Sequence, residues 1–394
     1  MTASPGSAGP MVVAGRLERL RVPLGDLGAD AMVVSNLSNI RYLTGFTGSA
    51  GVLLVGHGAS VGHGASVGDG NGGSVGDGEA VLVTDGRYRT QAAEQLAASG
   101  AAGAVGLEVG RSQEQQQMLA TVLARWRPTR LALEADSISW AGQRRWAQLL
   151  PEVELVPSSD LVEGLRQVKD QAELDHMARA AAVADDALAE VLPMVSEGRT
   201  EVEVALALDS AMRRLGAEES AFETIVASGP NAAKPHARPS ERRLQRGDPV
   251  VIDFGALCDG YRSDMTRTFF VGEPPTGVMA DVLEVVTAAQ EAGMATVRAG
   301  VVSGEVDRAA RQVVTEAGYG QAFEHGTGHG VGLDIHEAPW VGAGTTGILR
   351  AGTVVTVEPG VYLAGTGGVR IEDTVVVTET GCRPLTRFPK DPVC

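Results

Sequence analysis

The chain has 394 residues, 44 % of them hydrophobic, and a formal net charge of −16. That length supports a sizeable core split over two domains, and the acidic balance argues against nucleic-acid or anionic-membrane partners, which attract basic faces. Three scattered cysteines without a Cys-x-x-Cys give neither a disulfide framework nor a zinc knot, and no apolar run is long enough for a membrane helix, so a cytoplasmic protein is expected.

Residues 1–11 lack the cationic start and apolar core of a signal peptide and read as a disordered tail. Residues 12–158 alternate helix and strand patterns, as an α/β domain does. The pattern predicts a helix over 16–24, strands over 31–35, 52–55 and 80–84, and a helix over 90–98. Helices over 113–125 and 138–150 follow, with strands over 130–134 and 153–155. Between the second and third strands, residues 56–78 form a glycine-rich insertion in which Val-Gly-His-Gly-Ala-Ser recurs. Glycine at nearly every second position is entropically costly to order and leaves nothing to bury. A lengthened loop between two paired strands is expected, too loose for His57 and His63 to hold a metal. Asp85 and Arg87 read as turn stabilisers.

Residues 159–390 form the second domain. Asp170 and Glu173 have capping-box spacing before a helix that runs to about 192, and Thr200 caps another over 201–215. His176 in the first of these helices reads as structural. Two more helices are expected over 279–299 and 305–317. Interleaved hairpins and four long helices point to a curved antiparallel sheet backed by helices, an α+β domain.

The chemistry concentrates in three stretches. Residues 251–256 read as a buried strand, Cys258-Asp259-Gly260 as a tight turn and 261–270 as the returning strand. Asp253 and Asp264 lie almost symmetrically about that turn, so they are expected on one face at close range. Two such carboxylates repel each other and lose solvation, a conflict that a metal ion or a shared proton resolves. A second hairpin over 353–373 turns at a glycine-rich stretch around 364–368 and brings Glu358 and Glu372 together in the same way. Between the hairpins, His325 and His329 have a helical spacing, but Gly326, Gly328 and Gly330 make a helix poor. That spacing therefore does not require both to bind metal. Four carboxylates and one histidine suit two divalent ions. His236 lies in the proline-interrupted loop Asn231-Ala-Ala-Lys-Pro-His-Ala-Arg-Pro, where substrate contact or proton handling is the favoured reading.

Together, Asp-Phe-Gly, Ser-Asp-Met-Thr-Arg-Thr, His-Gly-Thr-Gly-His-Gly-Val-Gly, Val-Glu-Pro-Gly and Arg-Ile-Glu-Asp resemble the site of the pita-bread metallopeptidases. That family includes methionine aminopeptidase, aminopeptidase P and prolidase. The resemblance implies a pita-bread catalytic domain behind a creatinase-like N-terminal domain. It also implies two divalent ions, Mn²⁺ first with Co²⁺ or Zn²⁺ as alternatives, held by Asp253, Asp264, His329, Glu358 and Glu372. By the same resemblance His236, His325 and His336 hold the scissile carbonyl or the substrate carboxylate, and Glu358 handles a proton. Arg370 matches the arginine of the proline-specific members. A homodimer or homotetramer acting on proline-containing peptides is implied. The expected activity is Xaa-Pro aminopeptidase, with Xaa-Pro dipeptidase as the alternative and an inactive binding module of the same fold as a remote one. The aminopeptidase reading is preferred because no additional basic cluster near the site demands a substrate carboxylate.

Overall fold

In the computed structural model, which describes residues 11–58, 80–111 and 113–394, the contacts divide the chain between Arg166 and Gln167. The expected boundary at 158 moves because the helix Leu161–Arg166 belongs to the N-terminal unit. Its Arg166 donates to Asn39 Oδ1 at 2.8 Å, and the Asn39 amide donates to Glu163 at 2.6 Å.

The N-terminal unit is built on one six-stranded sheet. Its order is Val105–Gly110, Ala80–Asp85, Gly51–Gly56, Ala31–Val34, Arg130–Glu134 and Glu154–Ser158. The three central pairings out to Arg130–Glu134 include two antiparallel ones, and the outermost pairings are parallel. Ala31–Val34 and Ala80–Asp85 are buried along their whole length, which is why they read as continuous apolar runs rather than alternating ones. Gly51–Gly56 and Ala80–Asp85 pair antiparallel across the insertion, whose residues 59–78, His63 among them, lie outside the described residues. Two elements escape the sequence pattern. The helix Leu37–Thr44 is short, but Asn36 caps it by accepting from the N–H groups of Ser38 and Asn39, and Gly45 ends it at φ 77°. The strand Val105–Gly110 carries glycine at its second and sixth positions and so lacks a strand signature. Asp85 caps its turn by accepting from the Arg87 N–H at 2.9 Å.

In the second unit the helices Gln171–Val191 and Glu201–Arg214 each open with a complete capping box, Asp170 with Glu173 and Thr200 with Glu203. They pack Ala184, Leu188, Val204 and Leu208 against Val250, Ile252, Phe254 and Phe269. The helices Val278–Thr296 and Ser303–Glu316 cover Val361 and Val369 with Val282, Val286, Ala310 and Val314. The expected curved sheet is divided into short antiparallel ladders. Ile225–Ser228, Pro249–Phe254 and Met265–Phe270 form one, continued past a break by the small Ala256–Cys258 and Tyr261–Arg262 hairpin. Five strands, Glu337–Val341, Gly328–Gly330, Val354–Val357, Asp373–Val377 and Cys382–Pro384, form another. Gly360–Leu363 with Gly367–Arg370 forms a separate pair. Asp264, Glu358 and Glu372 stand at the breaks between ladders, and Asp253 near the end of its strand.

Candidate metal centre

The first hairpin turns on Asp259 and Gly260, at φ 50° and 78°, between the paired residues Cys258 and Tyr261. Two left-handed residues in succession match the twist of the flanking strands. Asp253 pairs with Thr266 and Phe254 with Met265, so Asp264 lies one step further along, opposite Gly255. The near-symmetry of the sequence therefore becomes a diagonal: Asp253, Thr266 and Asp264 share a face because side chains alternate along a strand. Gly255 permits the break, since a Cβ there would strike the Ser263 carbonyl oxygen.

Across the second hairpin, Val357 pairs with Asp373 and Gly360 with Arg370, so one register runs through the interruption and sets Glu358 opposite Glu372. Pro359, which has no N–H to give, lies in that gap. His329 stands on the strand Gly328–Gly330, where a Cβ on Gly328 would collide with the Thr356 carbonyl. The glycines thus let the imidazole-bearing backbone approach the acid-bearing strand. His329 N–H donates to Thr356 Oγ1 at 3.1 Å, and Glu358 N–H to the Thr327 carbonyl at 2.8 Å.

These segments bring Asp264, His329 and Glu372 together, with a ligand atom of each within 4.8 Å of the others and all three buried. His329 Nδ1 faces the Gly330 carbonyl at 3.0 Å, which makes it the protonated nitrogen. Nε2 then points its lone pair at Asp264 Oδ2, 3.6 Å away, and Glu358 Oε1, 3.5 Å away. Burial holds the His329 pKa below its ordinary value, favouring the neutral ring. Burial pushes the Asp264 and Glu372 carboxyls well above the usual range, and repulsion from neighbouring carboxylates adds to it. Glu358 is raised as well, again by burial first. Asp253 Oδ1 is buried with no hydrogen-bond partner among the described residues. Lone pairs converging on one point, with a backbone carbonyl orienting the histidine, fit a divalent cation. The donor set of oxygens with one imidazole suits such an ion.

Arg370 sits deep in this site. It donates to Asp253 Oδ2 at 2.6 Å, Tyr362 Oη at 2.8 Å, Thr266 Oγ1 at 3.1 Å and the Pro235 carbonyl at 3.2 Å. Four of its five N–H groups are engaged within the protein, leaving little for a substrate carboxylate. His325 Nδ1 faces the Gly326 carbonyl at 2.7 Å and Nε2 faces the Tyr362 hydroxyl at 2.9 Å. His325 is therefore tied to Tyr362 rather than pointing freely at a substrate. Burial lowers its pKa. His336 is exposed, lies edge-on to His329 at 4.4 Å and stacks beside Trp340. His236 is also exposed, on a loop held at both ends by buried Glu201, which accepts from Asn231, Ser228 and Ser240. These histidines, the acids and Arg370 line one cavity of about 670 Å³, with Trp340, Phe222, Glu223 and Arg238 among its walls.

Thr266, Tyr362 and the Lys169–Glu337 pair were not singled out by sequence. Thr266 Oγ1 donates to Glu372 Oε2 at 2.7 Å, linking the two hairpins. The only advance signal for it was its position two residues after Asp264. Lys169 Nζ meets Glu337 at 2.5 Å with both side chains buried, next to His336. His176, in contrast, is buried against Tyr261 and Asp259, as a structural residue would be.

Residues 175–379 match metallopeptidase family M24, and residues 16–168 match the creatinase/prolidase N-terminal domain. The Bacillus subtilis peptidase YqhT is 38 % identical over 95 % of this chain and 99 % of its own length. The Xaa-Pro dipeptidase of Pyrococcus furiosus is 42 % identical over 59 % of this chain and 66 % of its own length. Among solved structures, an Xaa-Pro dipeptidase from Bacillus anthracis superposes with a TM-score of 0.86 at 36 % identity, covering 97 % of this chain and 99 % of that one. An X-Pro aminopeptidase from Thermotoga maritima gives 0.82 at 33 % identity, covering 96 % and 99 %. The chain belongs to metallopeptidase family M24, as a two-domain pita-bread enzyme of the aminopeptidase P and prolidase group.

Proposed function

We propose that the protein is an Xaa-Pro dipeptidase with two divalent ions, Mn²⁺ foremost, held by Asp253, Asp264, His329, Glu358 and Glu372. The convergence of Asp264, His329 and Glu372 in a buried cluster carries this reading, and the partnerless Asp253 Oδ1 supports a second ion beside the first. Bound ions would supply Lewis-acid polarisation of the scissile carbonyl and a nucleophile at neutral pH. The chain's own residues do the rest. Arg370 holds Asp253 in position, Thr266 does the same for Glu372, and Thr356, 3.3 Å from Glu358, steadies that carboxylate. Glu358 lines the cavity, where a carboxylate can pass a proton to the departing proline nitrogen. His236 and His336 line the same cavity, and from it would donate to the carbonyl oxygen as charge develops on it.

The dipeptidase reading replaces the sequence preference for an aminopeptidase. That preference rested on the lack of an additional basic cluster demanding a substrate carboxylate; Arg238, which lines the cavity, offers a single basic group for one. Relatives named Xaa-Pro dipeptidase support it too. The Thermotoga maritima relative keeps aminopeptidase P as the second reading. Comparing kcat/KM for Ala-Pro with that for Ala-Pro-Ala separates them: strong preference for the tripeptide would overturn the dipeptidase proposal. Metal analysis of Asp264→Asn tests the centre, which should lose ions and turnover while remaining folded. Full metal content and activity in that variant would remove the proposed ligand set.

A further inference from the structure

We infer that Arg238 is the residue that reads the substrate's C-terminal carboxylate, and so restricts the enzyme to dipeptides; this rests on the dipeptidase reading. Among the described residues, the cavity wall carries two arginines, Arg370 and Arg238. Arg370 is buried and already donates to Asp253, Tyr362, Thr266 and the Pro235 carbonyl. Pulling it toward a substrate would strip Asp253 of its counter-charge. His325 has both ring nitrogens engaged, with the Gly326 carbonyl and the Tyr362 hydroxyl, so its polar edge is already taken.

Arg238 has the opposite character. Its side chain is 81 % exposed and meets Glu223 at 3.3 Å, in an ion pair whose acid is itself 65 % exposed. An exposed pair of this kind is weakly held, so an incoming carboxylate can exchange for Glu223 at small cost. The guanidinium fork binds carboxylate through two parallel N–H bonds. Arg238 follows His236 by two residues on the loop anchored by Glu201, so the carboxylate anchor and an oxyanion donor share one support. A dipeptide ends one residue beyond the scissile bond, within an arginine's reach of the cavity, whereas a longer peptide carries its charge past it.

The test is steady-state kinetics of the metal-loaded enzyme on Ala-Pro and on Ala-Pro-amide, which lacks the terminal charge. For Arg238→Gln, KM for Ala-Pro should rise about ten-fold or more with kcat little changed, from loss of a charge-assisted contact. The amide should be turned over as by the native enzyme, which a general structural defect would not allow. Arg238→Lys should recover part of the KM, and Glu223→Gln should lower it by up to about five-fold. If the native enzyme prefers Ala-Pro and Arg238→Gln keeps that preference, the Arg238 assignment is overturned and the dipeptidase reading stands. If the native enzyme treats dipeptide and amide alike, the dipeptidase reading fails and takes this inference with it.

Discussion

Replacing Arg370 by Met tests whether one buried cation holds the acidic centre together. The guanidinium is 3 % exposed and faces Asp253 Oδ2 at 2.6 Å, with Tyr362 and Thr266 as further acceptors. Methionine fills similar volume but, in the metal-free protein, leaves Asp253 buried beside three other carboxylates. Removing one partner of a buried pair costs about 3–5 kcal/mol, because the remaining charge is stranded. A domain of this size loses about 2–4 °C of Tm per kcal/mol, so the transition of the catalytic unit should fall by about 10 °C. Asp253 would also shift, and a misplacement of order 1 Å in a catalytic constellation costs roughly 10²-fold in rate. Arg370→Lys keeps the charge but cannot span Asp253, Tyr362 and Thr266 together, so its loss should be intermediate. Thermal denaturation and Xaa-Pro kinetics are the assays. An Arg370→Met protein that melts within about 2 °C of the native enzyme and keeps its kcat would refute the counter-charge role.

Three other perturbations bear on the same framework. Chelating the metal should make stability fall as pH rises above the ordinary carboxylate range: Asp264 and Glu372 have folded pKa values raised above their unfolded ones, so over that range the folded state holds protons that the unfolded state has already released. Reloading with Mn²⁺ should flatten that slope; equal slopes with and without metal would contradict it. Lys169→Met should cost about 3–5 kcal/mol by removing the buried cation that faces Glu337, with Glu337→Gln in the same chain recovering part of it in urea unfolding. Asp185 accepts the N–H groups of Arg387 and Phe388, and burial pushes its pKa up to about 6. Its ionisation opposes folding increasingly from pH 3.8 to about 6 and fully above. The rise is worth about 3 kcal/mol, and screening of the part-exposed carboxyl reduces that. Asp185→Asn should therefore stabilise by about 1–2 kcal/mol at pH 7.5 and by nothing at pH 4; a loss of stability at pH 7.5 would show that the charge itself is needed.

Much of the centre was legible because its residues sit where the local sequence announces a break in regular structure. Asp264 follows the Asp259-Gly260 turn, Glu358 precedes Pro359, and His329 lies between two glycines. Such punctuation survives in a one-dimensional reading. What the sequence left open is set by register and by contacts between hairpins. Near-symmetry about the turn brings Asp253 and Asp264 to one face, but only the pairing shows that Thr266 stands across from Asp253 and that Asp264 lies diagonal to it, two residues along. Tyr362 carries no signal of its own in the sequence; only the pairing of Gly360–Leu363 with Gly367–Arg370 brings its hydroxyl between His325 and Arg370. In the N-terminal unit, the short helix at Leu37–Thr44 and the glycine-containing strand at Val105–Gly110 fell below the pattern that longer apolar elements display.

The same distinction separates the residues proposed to hold the ions from the one proposed to select the substrate. The proposed ligands must be buried, because each carboxylate gains its value only when it is withdrawn from water beside a cation. Burial ties them to strand breaks, to glycine and proline, and to partners such as Thr266 and Arg370. That confinement is what fixes their spacing along the chain and makes them recognisable. A residue that captures and releases a dipeptide carboxylate has the reverse requirement. Its charge must be hydrated and loosely paired before substrate arrives, as Arg238 is with Glu223, or exchange would cost more than binding returns. An arginine of that kind leaves no mark in hydropathy or turn chemistry. In the sequence Arg238 is one more polar residue of a proline-rich loop, and the role proposed for it comes from the cavity wall it stands on and from the deeper arginine being already engaged.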